Sequence, residues 1–132
     1  MADGFGVVVS AGSLRSLDEH AVGFPHRWTT EGVTVEADFT GAHLLHLAAA
    51  GCVLNDLYRE AAGSGIVLDG VRVSAAGGFD TENWASTGIS YSVVLDSTAP
   101  AADLDRLMEV VDEVAEIPKA IRAGARVTRR AT

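Results

Sequence analysis

The only cysteine of this 132-residue chain, Cys52, lies in an alanine-rich run with the character of a helix. At about 100° per residue, Asn55, Asp56 and Arg59 fall on or beside the helix face that carries the thiol. Arg59 would favour the thiolate, which is the nucleophilic form of cysteine, whereas Asp56 would oppose it. An unpaired cysteine is also often a small buried hydrophobe. The residues alone therefore leave two interpretations open, a reactive thiol and a packed one.

Two histidines, His43 and His46, lie three residues apart at the start of the same helix. They are candidates for a cleft near Cys52, and with Asp38 or Glu36 they could supply metal ligands. Only two of the ligands that such a site needs are close in sequence, however. We therefore predict a role for both histidines at the helix end or at an interface, and we expect neither a metal nor a cofactor.

Charge and cysteine content restrict the class of protein. The formal net charge is -8, which disfavours binding to nucleic acid or to an anionic membrane surface. A single cysteine cannot form an intrachain disulfide, and the first residues lack the basic start and apolar run of a signal peptide. The length suits one domain over residues 1–132, and we expect a cytoplasmic protein.

Hydrophobic periodicity and the placement of glycine and proline predict the order of the elements. Strands are predicted at 4–12, 27–38, 65–79, 86–97 and 125–130, and helices at about 41–63 and 101–122. The segment 13–25 is predicted to be a loop, and Pro118 should break the second helix. This order indicates an α+β domain in which two helices cover a mainly antiparallel sheet.

The first predicted helix is apolar on nearly every side from Leu44 to Leu57. Such a helix is normally buried all round, and one face of a small sheet cannot achieve that alone. We therefore expect a subunit interface to supply the rest of the contact.

The segment GAHLLHLAAAGCVLNDLYREA resembles the central helix of the OsmC/Ohr superfamily, the osmotically inducible protein C and organic hydroperoxide resistance proteins, in which small residues lead to a cysteine. The downstream order of hairpin, second helix with AEIPKAI, and final strand is also similar, so the resemblance covers roughly residues 32–128. It implies an OsmC-like fold and an intertwined homodimer with each active site at the subunit interface. It also implies a cysteine peroxidase that reduces organic hydroperoxides with dithiols.

Under this resemblance, Cys52 matches the peroxidatic cysteine of the family. The second, resolving cysteine of the family falls on Ala115 or, with a shift of one gap, on Ile117, and neither residue can form a disulfide. A sulfenic acid that forms on Cys52 would therefore need an external thiol to return to the thiol, or it would risk irreversible oxidation.

The groups that activate the thiol in the Ohr branch also differ. The catalytic glutamate, ten residues before the cysteine, matches Ala42. The partner arginine would be Arg15 or Arg27, the candidates for stabilising a thiolate. Without the glutamate, a group that orients arginine beside the sulfur is missing.

Two functions of different class follow. The first is reduction of small organic hydroperoxides by a one-cysteine, thiol-dependent peroxidase at the dimer interface. The second is a non-catalytic OsmC-like dimer that binds a small apolar ligand in the interface cleft.

Overall fold

The structure is a computed structural model that describes residues 4–132 as one antiparallel sheet and three helices. In chain order the elements are β1 (Val7–Gly12), β2 (Val22–Phe24), β3 (Val33–Glu36), α1 (Gly41–Gly63), β4 (Gly70–Phe79), β5 (Ser86–Asp96), α2 (Ala101–Val114) and α3 (Glu116–Ala123). The strand order is β2-β3-β1-β4-β5, so β1 is central, and all four pairs of neighbours are antiparallel. The predicted α+β class and the predicted hairpin, which is β4 and β5, are confirmed.

Alternating valines build the buried face of this sheet. Val9 of β1 lies opposite Val35 of β3 and Val73 of β4, so the three side chains share one face. The helix α1 packs on that face and buries Leu54 and Leu57 against it. The core therefore forms between the sheet and α1, and it fixes the rotation of the helix that carries Cys52.

The bounds of α1 follow from its two ends. At the start, Thr40 caps the helix because its Oγ1 accepts a hydrogen bond from the backbone N–H of His43 at 3.1 Å. At the end, Gly65 adopts the left-handed conformation, with a φ of +71°, just beyond the cap. The prediction of a helix at 41–63 is confirmed. Within the single chain its burial is incomplete, since Leu44 stays 37 % exposed.

The second helical region is divided, but the break lies three residues before Pro118, at Ala115. Proline has no backbone N–H and its ring clashes with the carbonyl group four residues earlier, which here is that of Val114. The chain therefore leaves the helix at Ala115, which is extended with a ψ of 118°, and starts again at Glu116. Pro118 then lies in the first turn of α3, where no N–H is needed.

The predicted strands at 27–38 and 65–79 are shorter in the structure, at Val33–Glu36 and Gly70–Phe79, and two further segments differ in kind. The segment 13–25, predicted to be a loop, contains the short edge strand β2, which pairs Val22 with Val35 and Phe24 with Val33. The strand was not predicted because Gly23 and Pro25 are residues typical of loops. The segment 125–130, predicted to be a strand, is not one: it pairs with no strand of residues 4–132, and Val127 is 93 % exposed. A short segment without a neighbouring strand to pair with does not form a sheet. No helix within residues 4–132 combines the length and the apolar character that crossing a membrane requires.

Candidate functional site

Three side chains that can exchange protons meet on one flank of α1, and we refer to Cys52, Asp56 and Glu116 as the thiol–carboxylate cluster. Cys52 and Asp56 are four residues apart on the helix and so lie one above the other. Glu116 comes from α3, and its Oε1 is 3.5 Å from the Sγ of Cys52. One sulfur or oxygen atom from each of the three residues lies within 4.8 Å of the other two.

The break between α2 and α3 brings Glu116 to this place. Ala115 at the break is fully buried, and Pro118 is buried in the first turn of α3. These two buried residues hold the start of α3, which packs against α1. Glu116 lies between them as the first residue of α3, with its side chain reaching Cys52 while remaining open to solvent.

The thiol lies in an environment that favours its protonated form. Cys52 is only 8 % exposed, and burial raises the pKa of its thiol above the ordinary value of 9.0. The backbone N–H of Ile117, at the N-terminus of α3, works in the other direction and lowers that pKa, but the negative charges of Asp56 and Glu116 raise it further. At neutral pH, Cys52 is therefore a thiol that donates a hydrogen bond to the Glu116 carboxylate.

The two carboxyl groups of the cluster are shifted in opposite directions. Burial raises the pKa of Asp56, which is 2 % exposed, and the charge of Glu116 adds to that effect, whereas Arg59 lowers it. The pKa of Glu116 is lowered by the backbone N–H of Glu116 itself at the start of α3, and the hydrogen bond from Cys52 lowers it too. Glu116 is thus the ionised acceptor of the cluster, and Asp56 is the carboxyl group that keeps a proton more readily.

Arg59 lies at the edge of the cluster, where its positive charge pairs with the Asp56 carboxylate and not with the sulfur of Cys52. Its Nη2 is 3.1 Å from the Oδ2 of Asp56, and its Nε is 3.3 Å from the Oε2 of Glu60. Both contacts direct the guanidinium toward carboxylates. The cluster consequently has more negative than positive groups next to the thiol, an arrangement that attracts cations.

The other flank of α1 borders a cavity of about 410 Å³, which we call the His26 cavity. Its apolar wall includes Val9, Val33, Val35, Leu47 and Leu54. Its polar part consists of Arg27 and a pair in which the Nε2 of His26 lies 2.9 Å from the Oδ1 of Asn55. The Nδ1 of His26 lies 2.8 Å from the Oγ1 of Thr29. Asn55, a sequence candidate for the cleft beside Cys52, therefore belongs to the opposite flank, and Cys52 does not line this cavity.

The two histidines of α1 lie at the helix start, away from the cluster. The Nδ1 of His43 is 2.7 Å from the Oγ1 of Thr40, and its Nε2 is 4.0 Å from Asp38. His46 is fully buried, and its Nδ1 is 3.0 Å from the backbone oxygen of Phe5. His43 therefore acts at the helix cap, and His46 tethers the segment before β1 to α1.

The two candidate arginines also have partners elsewhere. The Nη1 of Arg15 is 3.7 Å from the Oε1 of Glu31, and the guanidinium of Arg27 lies 5.9 Å from the centre of the Trp28 ring. Among residues 4–132, neither arginine forms an ion pair with a carboxylate of the cluster. Ala42, at the position of the Ohr glutamate, is in the first turn of α1.

Glu116 is the residue that sequence reasoning did not identify. It lies directly between Ala115 and Ile117, the two positions that the resemblance offered for a resolving cysteine. Proline two residues later was the available signal, because it shows that a helix can start just before it. The resemblance was applied to this segment only to find a second cysteine, so the carboxylate of Glu116 was not considered as a neighbour of the thiol.

Comparison with known proteins agrees with this architecture. The family model for OsmC-like proteins matches residues 28–129. An OsmC-like hydroperoxide resistance protein from Jannaschia sp. CCS1 superposes with a TM-score of 0.51 at 14 % identity, covering 96 % of this chain and 93 % of that one. An OsmC-like protein from Mycoplasma pneumoniae gives a TM-score of 0.60 at 12 % identity, with 95 % and 92 % covered. No curated protein sequence matches the chain. The family match spans most of the sequence, and the chain belongs to the OsmC-like family.

Proposed function

We propose that this protein reduces organic hydroperoxides through Cys52, with an external dithiol as reductant. The observation that carries the proposal is the 3.5 Å contact between the Sγ of Cys52 and the Oε1 of Glu116. It gives the thiol an ionised proton acceptor within the cluster. Membership of the OsmC-like family, and the name of the related hydroperoxide resistance protein, support the choice of hydroperoxide as substrate.

In the proposed reaction, the sulfur of Cys52 attacks one peroxide oxygen and the O–O bond breaks. The sulfur becomes a sulfenic acid, and the other oxygen leaves as an alkoxide. Glu116 accepts the thiol proton and passes it to the alkoxide, so that a thiol and a hydroperoxide give a sulfenic acid and an alcohol. One thiol of the reductant then condenses with the sulfenic acid and releases water. Its second thiol displaces Cys52 as a thiol and leaves the reductant oxidised.

The same contacts set a low rate for this chemistry. The thiolate is the nucleophile, and burial together with the Asp56 and Glu116 charges keeps Cys52 protonated near neutral pH. No second cysteine exists in the chain to capture the sulfenic acid. We therefore expect slow turnover that depends on added dithiol.

We also propose that the working form is a homodimer. Several apolar side chains near the helices stay exposed in the single chain, among them Phe39 at 89 %, Leu44 at 37 % and Ile117 at 36 %. Ile117 adjoins the cluster, so a second copy that covers it would exclude water from the thiol. Light scattering at micromolar concentration should give about twice the mass of one chain. A stable folded monomer under those conditions would contradict the proposal.

The decisive assay follows the consumption of an organic hydroperoxide with dithiol in the wild type and in Cys52→Ser, while mass spectrometry follows the oxidation of Cys52. We expect dithiol-dependent turnover that falls to the background rate in Cys52→Ser. In the absence of dithiol, Cys52 should accumulate as sulfenic acid or higher oxides. Turnover that persists in Cys52→Ser would place the chemistry elsewhere.

The His26 cavity favours a second candidate function, the binding of a small apolar ligand. Its volume of about 410 Å³ and its mainly aliphatic wall suit such a ligand, and the His26–Asn55 pair could orient one polar group. A fluorescent apolar probe tests it, because Trp28 lines the cavity. Probe binding that Trp28→Phe weakens, combined with no oxidation of Cys52 under excess peroxide, would favour this alternative.

A further inference from the structure

We propose that Cys52, Asp56 and Glu116 form a binding site for a divalent cation that prefers sulfur and oxygen ligands, of which Zn²⁺ is the best match. The site uses a different set of residues from the histidines at the start of α1. Hydroperoxide reduction is not a premise of this proposal, because it rests on the positions of the three side chains.

The spacing of the cluster is close to that of a tetrahedral zinc site. Zinc lies about 2.3 Å from a cysteine sulfur and about 2.1 Å from a carboxylate oxygen, so two such ligands at the tetrahedral angle are about 3.6 Å apart. The Sγ of Cys52 and the Oε1 of Glu116 are 3.5 Å apart. The third ligand, from Asp56, lies within 4.8 Å of both atoms. Small side-chain rotations would therefore bring all three ligands into range of one ion.

Asp56 supplies an independent indication of a missing ligand. It is 2 % exposed, and among residues 4–132 its buried Oδ2 has no hydrogen-bond partner. Its contact with Arg59 at 3.1 Å is an ion pair without the alignment of a hydrogen bond. A buried carboxylate oxygen normally accepts a well-aligned hydrogen bond, and the Arg59 ion pair alone leaves the bonding of this oxygen incomplete. A cation bound between Asp56, Cys52 and Glu116 would complete that bonding.

The charge of the cluster also favours a cation. The thiolate and the two carboxylates would repel one another if all were ionised, and a divalent ion relieves that repulsion. Binding releases the thiol proton, together with any proton that Asp56 holds. Arg59 contacts both Asp56 and Glu60, and its side chain is 44 % exposed, so its guanidinium has room to turn toward Glu60 when an ion binds Asp56. Glu116 is exposed, which leaves the fourth position open to water, as in zinc sites with three protein ligands.

Metal binding would have a direct consequence for the thiol. A sulfur bound to Zn²⁺ is a ligand and is less available to attack a peroxide or an alkylating reagent. Zn²⁺ and hydroperoxide should therefore compete for Cys52.

The test is a titration of the metal-free full-length protein with Co²⁺ and then Zn²⁺. Thiolate coordination should give a sulfur-to-cobalt charge-transfer band that Zn²⁺ abolishes, with proton release on binding. The band should be absent in Cys52→Ala. In Glu116→Gln, which alters an exposed side chain, and in Asp56→Asn, the affinity should fall at least tenfold. Glu113→Gln, an exposed carboxylate on α2, and Asp38→Asn, beside His43, are matched controls that should bind like the wild type.

Several outcomes would overturn the metal site. They are the lack of a charge-transfer band, an affinity unchanged in Glu116→Gln, or an equal loss in Asp38→Asn. Circular dichroism of each variant separates loss of ligand from loss of fold. Hydroperoxide turnover measured with a chelator present reports the proposed function separately, so failure of one proposal leaves the other measurable.

Discussion

The two flanks of α1 use polar side chains in different ways. On one flank, Cys52 and Asp56 meet Glu116. The negative charges of Asp56 and Glu116 raise the pKa of the Cys52 thiol, and the charge of Glu116 raises the pKa of Asp56. On the other flank, Asn55 and His26 pair with each other beside a mainly apolar cavity. One helix thus separates three side chains with interacting charges from a hydrogen-bonded pair beside a cavity. The first flank is suited to chemistry, and the second to packing or to an apolar ligand.

The largest change in the free energy of unfolding should come from Leu54→Ala, on the flank that borders the His26 cavity. Leu54 is 1 % exposed and lines the His26 cavity, so its truncation enlarges a space that the core cannot fill. We expect the free energy of unfolding to fall by about 2–5 kcal/mol in urea titrations, with Cys52 reactivity in the folded state unchanged. Leu17→Ala is the control, since Leu17 is 99 % exposed and should change stability by less than about 0.5 kcal/mol. A marked change in the thiol pKa of folded Leu54→Ala would show that the flanks are coupled.

A smaller effect is expected for Asn55→Ala. This change removes the oxygen that lies 2.9 Å from the Nε2 of His26 in a partly buried site. We expect a loss of about 0.5–1.5 kcal/mol in the free energy of unfolding. Asn83→Ala, at an exposed turn, serves as a comparison. If Asn55→Ala costs no more than Asn83→Ala, the His26–Asn55 pair does not stabilise the cavity flank.

The smallest effect should be the part of the alkaline pH dependence of stability that comes from the Cys52 thiol. The pKa of Cys52 is higher in the folded state than in the unfolded chain, so the folded protein holds the thiol proton to higher pH. As pH rises past the ordinary thiol value of 9.0, the unfolded chain loses that proton first, and the free energy of unfolding of the wild type should decrease. Urea unfolding at several alkaline pH values should show a shallower decrease in Cys52→Ala. Parallel pH curves for the two proteins would mean that the folded thiol is not destabilised as an anion.

Local signals in the sequence were sufficient for the helix that carries the thiol. A predicted start near Thr40 or Gly41 and a predicted end at the glycines of segment 63–65 gave α1 its observed bounds. The same run identified Cys52 and its neighbour Asp56. These features depend on contacts between residues close in sequence, which periodicity and capping describe well.

The partner of the thiol could not be found in that way. Glu116 is 64 residues from Cys52, and it reaches the sulfur only because Pro118 moves the break to Ala115. Asn55 and Asp56 are adjacent on the chain, yet they serve opposite flanks because the sheet fixes the rotation of α1. The strand β2 and the segment 125–130 differ from the prediction for a related reason, since strand formation depends on a neighbour that composition does not reveal.

The central proposal is that Glu116 helps burial to keep Cys52 protonated and takes part in the reaction of Cys52 with hydroperoxides. The most direct measurement is the rate of Cys52 alkylation across pH, paired with the rate of its oxidation by an organic hydroperoxide, in the wild type, Glu116→Gln and the control Glu113→Gln. We expect a wild-type thiol pKa above the ordinary 9.0, since burial raises it. In Glu116→Gln the loss of a negative charge should lower that pKa and speed alkylation at neutral pH, while oxidation at equal thiolate slows because the alkoxide no longer receives its proton from Glu116. A wild-type pKa below 9.0, or alkylation and oxidation profiles that are identical in Glu116→Gln and Glu113→Gln, would contradict the account.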